Sequence, residues 1–131
     1  MIRGIGVDIV KVKRMEAAVG RWGRRFLEKV FTREEIDSCY GKARPYASFA
    51  VRFAAKEAFM KAAGLKGISF RDIEVVNQVS GAPEIRKDGR LGAALAASGI
   101  ENIHLSLSHE KEYGVAFVVT EKTAPERWVA R

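Results

Sequence analysis

Two carboxylates in this chain are set where chemistry could be done. Asp8 lies in Gly4-Ile5-Gly6-Val7-Asp8-Ile9-Val10, whose alternation predicts a strand. Ile5, Val7 and Ile9 share one face of it, and Gly4, Gly6, Asp8 and Val10 the other. The glycines leave that second face nearly bare, so a carboxylate there has room for a ligand beside it. The plainer alternative is a strand-end Asp that caps the next turn. Glu57 lies between Ser48 and Ala63, an alanine-rich stretch without glycine or proline that Gly64 ends, and this predicts a helix. At helical spacing Glu57 falls inside an apolar arc of Phe49, Phe53 and Met60, where an ionised carboxylate needs a cation or hydrogen bonds. Lys61 follows four residues later in the orientation that favours an ion pair, and Arg52 and Lys56 add positive charge to the same helix. Taken alone, Glu57 and Lys61 would be an ordinary surface pair of little energetic weight.

Two carboxylates with several cations are what a magnesium–phosphate site asks for. Magnesium takes hard oxygen ligands, usually one or two carboxylates together with substrate phosphate oxygens, and cations neutralise the remaining phosphate charge. Zinc fits less well, because His104, His109 and Cys39 have no recognisable ligand spacing. A glycosidase also pairs two carboxylates but has no need of so much positive charge. His109 ends the run Leu105-Ser106-Leu107-Ser108-His109 and leads into the charged turn Glu110-Lys111-Glu112. Its position beside the outward hydroxyls of Ser106 and Ser108 suits either a structural turn histidine or, if the fold brings it to the phosphates, an anion donor.

Several elements must position these groups. Residues 12–29 read as one basic helix, with Lys11, Lys13, Arg14, Arg21, Arg24 and Arg25 against the single acid Glu16 up to residue 25. Arg14, Arg21 and Arg25 fall along one stripe of such a helix. Phe31-Thr32-Arg33-Glu34-Glu35-Ile36 starts another helix with a capping box and a hydrophobic staple, and Gly41 to Pro45 breaks it. Asp72 to Val76, a turn at Ser80-Gly81-Ala82-Pro83 and Glu84 to Arg86 read as a short strand pair, and Leu91 to Ala97 as a helix closed by Gly99. Asn102 to Ser108 and Gly114 to Thr120 form a hairpin with Ile103, Leu105 and Leu107 inward. Helices mixed with antiparallel pairs give an α+β class.

The 131 residues suit one domain, and the formal net charge of +7 attracts anions. A basic nucleic-acid-binding module without catalysis is the alternative on charge alone. Such modules interleave aromatics among their cations, whereas Lys11 to Arg25 contains only Trp22, so no nucleic acid partner is expected. The single cysteine, Cys39, excludes an internal disulfide. No leader pattern opens the chain and no apolar run approaches the roughly 20 residues of a membrane span. A cytoplasmic protein without membrane insertion is expected.

Together, Gly4 to Val10, Arg52-Phe53-Ala54-Ala55-Lys56-Glu57-Ala58 and Leu105-Ser106-Leu107-Ser108-His109 resemble the bacterial holo-acyl-carrier-protein synthase family, which are 4′-phosphopantetheinyl transferases. Similarity extends through Phe31 to Glu35, Asp72 to Val75 and Gly81-Ala82-Pro83. The resemblance implies an α+β subunit, with an antiparallel sheet and packed helices, that assembles as a homotrimer with coenzyme A in clefts between neighbours. It implies transfer of the phosphopantetheine arm from coenzyme A to a serine of an apo acyl carrier protein, with magnesium as cofactor. Asp8 and Glu57 match the family's magnesium ligands and, with Lys61 at the phosphate, its catalytic set. Arg52 matches its coenzyme-binding arginine, Ser108 and His109 lie near the nucleotide phosphates, and Arg44 and the turn at Pro83 match parts offered by a neighbouring subunit. Arg14, Arg21 and Arg25 match the surface that grips the carrier protein. Val51 stands where glycine is common and Glu110 where a small polar residue is common. The transferase domain is expected over 1–121, followed by a tail, 122–131, with no counterpart in the family.

Overall fold

The alternating N-terminal segment forms strand β1 (Ile2–Lys11), and the C-terminal hairpin supplies β4 (Ile100–His109) and β5 (Tyr113–Lys122). In the computed structural model, which describes residues 1–123, these make an antiparallel three-stranded sheet in the order β1-β5-β4. The expected tail lies, from residue 124 on, outside the described residues. Pairing of Gly4 with Thr120, Gly6 with Val118 and Asp8 with Ala116 puts the glycine face of β1 on the inner side of the sheet. Ile103, Leu105 and Leu107 of β4 lie opposite Thr120, Val118 and Ala116, on that same inner side.

The inner face is covered by α4 (Pro45–Ala63), whose first turn contains Pro45 and whose last carbonyls meet Gly64. The space beside the β1 glycines is therefore not left for a ligand, contrary to the sequence expectation. A Cβ on Gly4 would lie 2.0 Å from the Ala62 carbonyl oxygen, and one on Gly6 would lie 1.9 Å from that of Ala58. The glycines instead let the helix backbone settle onto the strand, and the buried Thr120 hydroxyl donates to the Ala62 carbonyl at 3.0 Å. The bulky face, Ile5, Val7 and Ile9, is turned to solvent.

The basic segment is two helices rather than one. Gly23, at φ +63°, separates α1 (Val12–Trp22) from α2 (Arg24–Val30), a backbone conformation that favours glycine. α3 (Arg33–Tyr40) carries the expected capping box at Thr32 and Glu35. A 3₁₀ turn (Phe70–Asp72), the short pair β2 (Val75–Asn77) and β3 (Pro83–Ile85), and α5 (Gly89–Ser98) complete the elements of the described residues. One apolar cluster joins α4 to the sheet, β2, β3 and α5; a second joins α1, α2, α3 and the start of α4. Helix α4 thus belongs to both cores, which explains why so few of its side chains reach solvent.

Candidate functional site: two clefts beside one helix

Because Gly4 and Gly6 seat α4 directly on β1, the next inward residue of the strand, Asp8, meets the helix at Glu57 and Lys61. Asp8 and Glu57 line one open cleft of about 400 Å³, together with Arg14, Phe26 and Phe53. The Asp8 side chain is 20% exposed, and it does not cap α1, whose N-terminus has no side-chain cap. Lys61 pairs with Asp8 rather than with Glu57: its Nζ lies 3.4 Å from Asp8 Oδ1 and donates to the Val7 carbonyl at 3.1 Å. Glu57 takes part in none of the ion pairs among the described residues.

Two partly buried hard oxygen donors, one from a strand and one from a helix, form a donor set that suits magnesium shared with phosphate. No cluster of three or more His, Cys, Asp or Glu is placed to hold a metal among the described residues. His104 is engaged elsewhere, its Nε2 lying 2.6 Å from Glu121 Oε1. Lys56, expected to add charge beside Glu57, points into the interior. Its Nζ donates to Glu35 Oε1 at 2.7 Å and to the Phe70 carbonyl at 2.9 Å, and its side chain is wholly buried. Burial pushes this amine below its ordinary value, against the opposing pull of Glu35. Glu35 also accepts from the amides of Thr32 at 2.9 Å and Val75 at 3.0 Å. The pair ties α3, α4 and β2 together and serves the fold.

Along α4 from Glu57, a second cleft of about 450 Å³ is lined by Lys42, Arg44, Arg52 and His109, with Pro83 and Val51 as apolar walls. Among the described residues no carboxylate lines it. Arg44 and the Gly81–Pro83 turn reach this cleft within one chain, where the resemblance assigned them to a neighbour's contribution. Arg52 is 5% exposed; its Nη1 donates to Cys39 Sγ at 2.9 Å and to Ser48 Oγ at 3.0 Å. His109 ends β4 facing inward, opposite Gly114. Ser108, one residue earlier, faces the outer side of the sheet and lines neither cleft. Glu110 is folded back into the hairpin, where its Oε1 accepts from the amides of Glu112 at 2.8 Å and Tyr113 at 3.0 Å. That carboxylate is spent on the turn.

The break at Gly23 divides the three expected docking arginines. Arg14 borders the carboxylate cleft, Arg21 lies 4.9 Å over the Trp22 ring, and Arg25 on α2 borders a shallow hollow with Trp22, Phe26 and Lys29. Sequence reasoning did not single out Lys42, or Ser48 and Cys39 behind Arg52. Ser48 was legible in principle, four residues before Arg52 on one helix face; Cys39 had no local signal, since its contact with Arg52 spans two helices.

Residues 4–120 match the model of the 4′-phosphopantetheinyl transferase superfamily. A holo-[acyl-carrier-protein] synthase of Halothermothrix orenii is 49% identical over 124 residues, covering 93% of this chain and 99% of that protein. The crystal structure of the holo-[acyl-carrier-protein] synthase of Neisseria meningitidis aligns with a TM-score of 0.86 at 40% identity, covering 93% of this chain and all of that one. That of the Bacillus anthracis synthase, in complex with coenzyme A (3′,5′-ADP), aligns at 0.76 with 38% identity, covering 94% and 99%. With nearly its whole length matched in sequence and in fold, the chain belongs to the holo-[acyl-carrier-protein] synthase family of the 4′-phosphopantetheinyl transferase superfamily.

Proposed function

We infer that the protein transfers the 4′-phosphopantetheine arm of coenzyme A to a serine of an apo acyl carrier protein, releasing adenosine 3′,5′-bisphosphate. The observation that carries this reading is the division of charge along α4: a cationic cleft around Arg52, lined by no carboxylate among the described residues, and a carboxylate cleft around Glu57. The two residues are five apart, a rise of about 7.5 Å along the helix, so a nucleotide in the first cleft can extend its pyrophosphate toward the second. Arg44, Arg52 and His109 bind the nucleotide phosphates, and Pro83 and Val51 supply apolar walls. Ser108 is the weakest of the coenzyme-binding candidates, because it faces away from this cleft.

Asp8 and Glu57 would hold a magnesium ion, which when bound would polarise a phosphate oxygen and neutralise charge. The carrier serine hydroxyl attacks the phosphorus nearest the pantetheine; a serine oxygen–phosphorus bond forms, the bond to adenosine 3′,5′-bisphosphate breaks, and the serine proton passes by way of a site carboxylate to solvent. Transfer of this kind depends on positioning and charge stabilisation more than on covalent help from the protein. Lys61, held beside Asp8 and half exposed, balances the charge that builds on the departing bisphosphate.

The carrier docks on α1 and α2 through Arg14, Arg21 and Arg25. Support comes from the exposed basic residues of this segment, where among the acids Glu28 is already paired with Arg24. The subunit assembles as a homotrimer through the outer sheet face, where Val7 lies opposite Phe117 and Ile9 opposite Val115; large apolar patches of this kind usually mark interfaces. The reaction takes place in the cytoplasm, a reading supported by a lone buried thiol and by the absence, among the described residues, of a helix long and apolar enough to cross a membrane. The test is incubation with coenzyme A, magnesium and apo carrier protein, followed by mass spectrometry. Addition of one phosphopantetheine group to the carrier serine is expected; an unchanged carrier refutes the reading.

A further inference from the structure

A cation taken out of water usually keeps a carboxylate beside it. Arg52 does not: it enters none of the ion pairs among the described residues. Its Nη1 is held by the Cys39 thiol and the Ser48 hydroxyl. Among the described residues Nη2 reaches only Ser38 Oγ, at 3.5 Å, and Nε is buried with no partner. All three acceptors are neutral. Cys39 is fully buried behind Arg52 and Ser48, which line the cationic cleft while Cys39 does not. Burial pushes the thiol above its ordinary 9.0 and outweighs the opposing pull of Arg52, so it stays uncharged near neutral pH.

We propose that Cys39 is a positioning residue for the coenzyme: a neutral acceptor that fixes the Arg52 guanidinium from behind while leaving its full charge for the ligand's phosphates. A carboxylate in this place would hold the guanidinium as firmly but would cancel its charge, and an aliphatic side chain would leave Nη1 the Ser48 hydroxyl alone. With Nη1 occupied from behind, Nη2, whose one contact is the long one to Ser38 Oγ, is the donor left to turn to a phosphate oxygen in a fixed orientation. This rests on the reading of Arg52 as a coenzyme-binding residue, and the experiment separates the two.

Calorimetric binding of adenosine 3′,5′-bisphosphate, together with the KM for coenzyme A and kcat, is measured for Cys39→Val, Cys39→Ser, Arg52→Ala and the Cys39→Val/Arg52→Ala double variant. Loss of one hydrogen bond to a charged group should weaken bisphosphate binding and raise the coenzyme A KM about tenfold in Cys39→Val, with kcat and the carrier KM nearly unchanged. Cys39→Ser, which keeps a neutral acceptor, should recover most of that loss. In the Arg52→Ala background Cys39→Val should cost nothing further, because the thiol acts only through the guanidinium. Wild-type binding by Cys39→Val beside weakened binding by Arg52→Ala overturns the proposal alone. So does an equal loss from Cys39→Val in both backgrounds, which would assign the thiol to packing. Unchanged binding by Arg52→Ala overturns the underlying reading of Arg52. Should Cys39→Val not fold, Cys39→Ala carries the same comparison.

Discussion

Glu57 shows how one side chain can be placed on a helix face from its spacing and still be given the wrong neighbour. Its place in an apolar arc called for compensation, and the obvious candidate was Lys61 four residues on. In the fold Lys61 leans to Asp8, and Glu57 lines the cleft with no ion-pair partner among the described residues. Asp8→Ala or Glu57→Ala should therefore abolish transfer, by at least about 100-fold in kcat if a bound metal supplies several kcal/mol, while thermal denaturation shows a folded protein. Cys39 lends itself to a second check. Its thiol titrates above 9.0 in the native protein, so the unfolded chain loses this proton first and the native state holds more protons. The stability it contributes is complete below about pH 9 and is lost as pH rises through the raised native value. Iodoacetamide at pH 8 should label Cys39 slowly in the native protein and rapidly in urea; equal rates would contradict the burial.

At the scale of elements, two contacts hold the site in shape, and sequence reading missed both. The bare face of β1 looked like room for a ligand, and it is filled by the backbone of α4 at Ala58 and Ala62. Periodicity identifies a face but not what covers it, so Gly4 and Gly6 could be placed correctly and interpreted wrongly. Gly6→Ala should push α4 off the strand, with a stability loss of about 1–3 kcal/mol or more from overpacking and a larger fall in activity, because Glu57 moves from Asp8. Chemical denaturation beside a transfer assay checks this. Lys56 and Glu35 are 21 residues apart, beyond the reach of any local pattern, and Lys56 looked like one more surface cation. Breaking the buried pair with Lys56→Met should cost about 3–5 kcal/mol; a loss below about 1 kcal/mol would show that the pair holds nothing together. The hairpin, the capping box at Thr32 and the ends of α4 and α5 were legible because their signals lie within a few residues of one another. Gly23 was not: a lone glycine in a helical pattern is often tolerated, and only its positive φ marks the break.

For the whole molecule, the sheet has one face buried under α4 and another that exposes Ile5, Val7, Ile9 and Phe117 at 57%, 50%, 61% and 46%. Such a face in a chain of this size calls for a partner, and sedimentation should give about three times the monomer mass; a stable, active monomer would contradict the assembly. Charge acts at the same scale. If α1 and α2 steer an acidic carrier, reversal of Arg21 and Arg25 should raise the carrier KM strongly, with little change for coenzyme A, and added salt should slow association.

The central claim is that the two clefts divide the work, the cationic one binding the nucleotide and the carboxylate one serving the transfer. Steady-state kinetics of Arg52→Ala and Glu57→Ala, assayed side by side with coenzyme A and apo carrier protein varied in turn, tests it most directly. A coenzyme A KM raised at least about tenfold with kcat largely kept is expected for Arg52→Ala, and a collapsed kcat for Glu57→Ala. Wild-type kcat in Glu57→Ala, or an unchanged coenzyme A KM in Arg52→Ala, would contradict it.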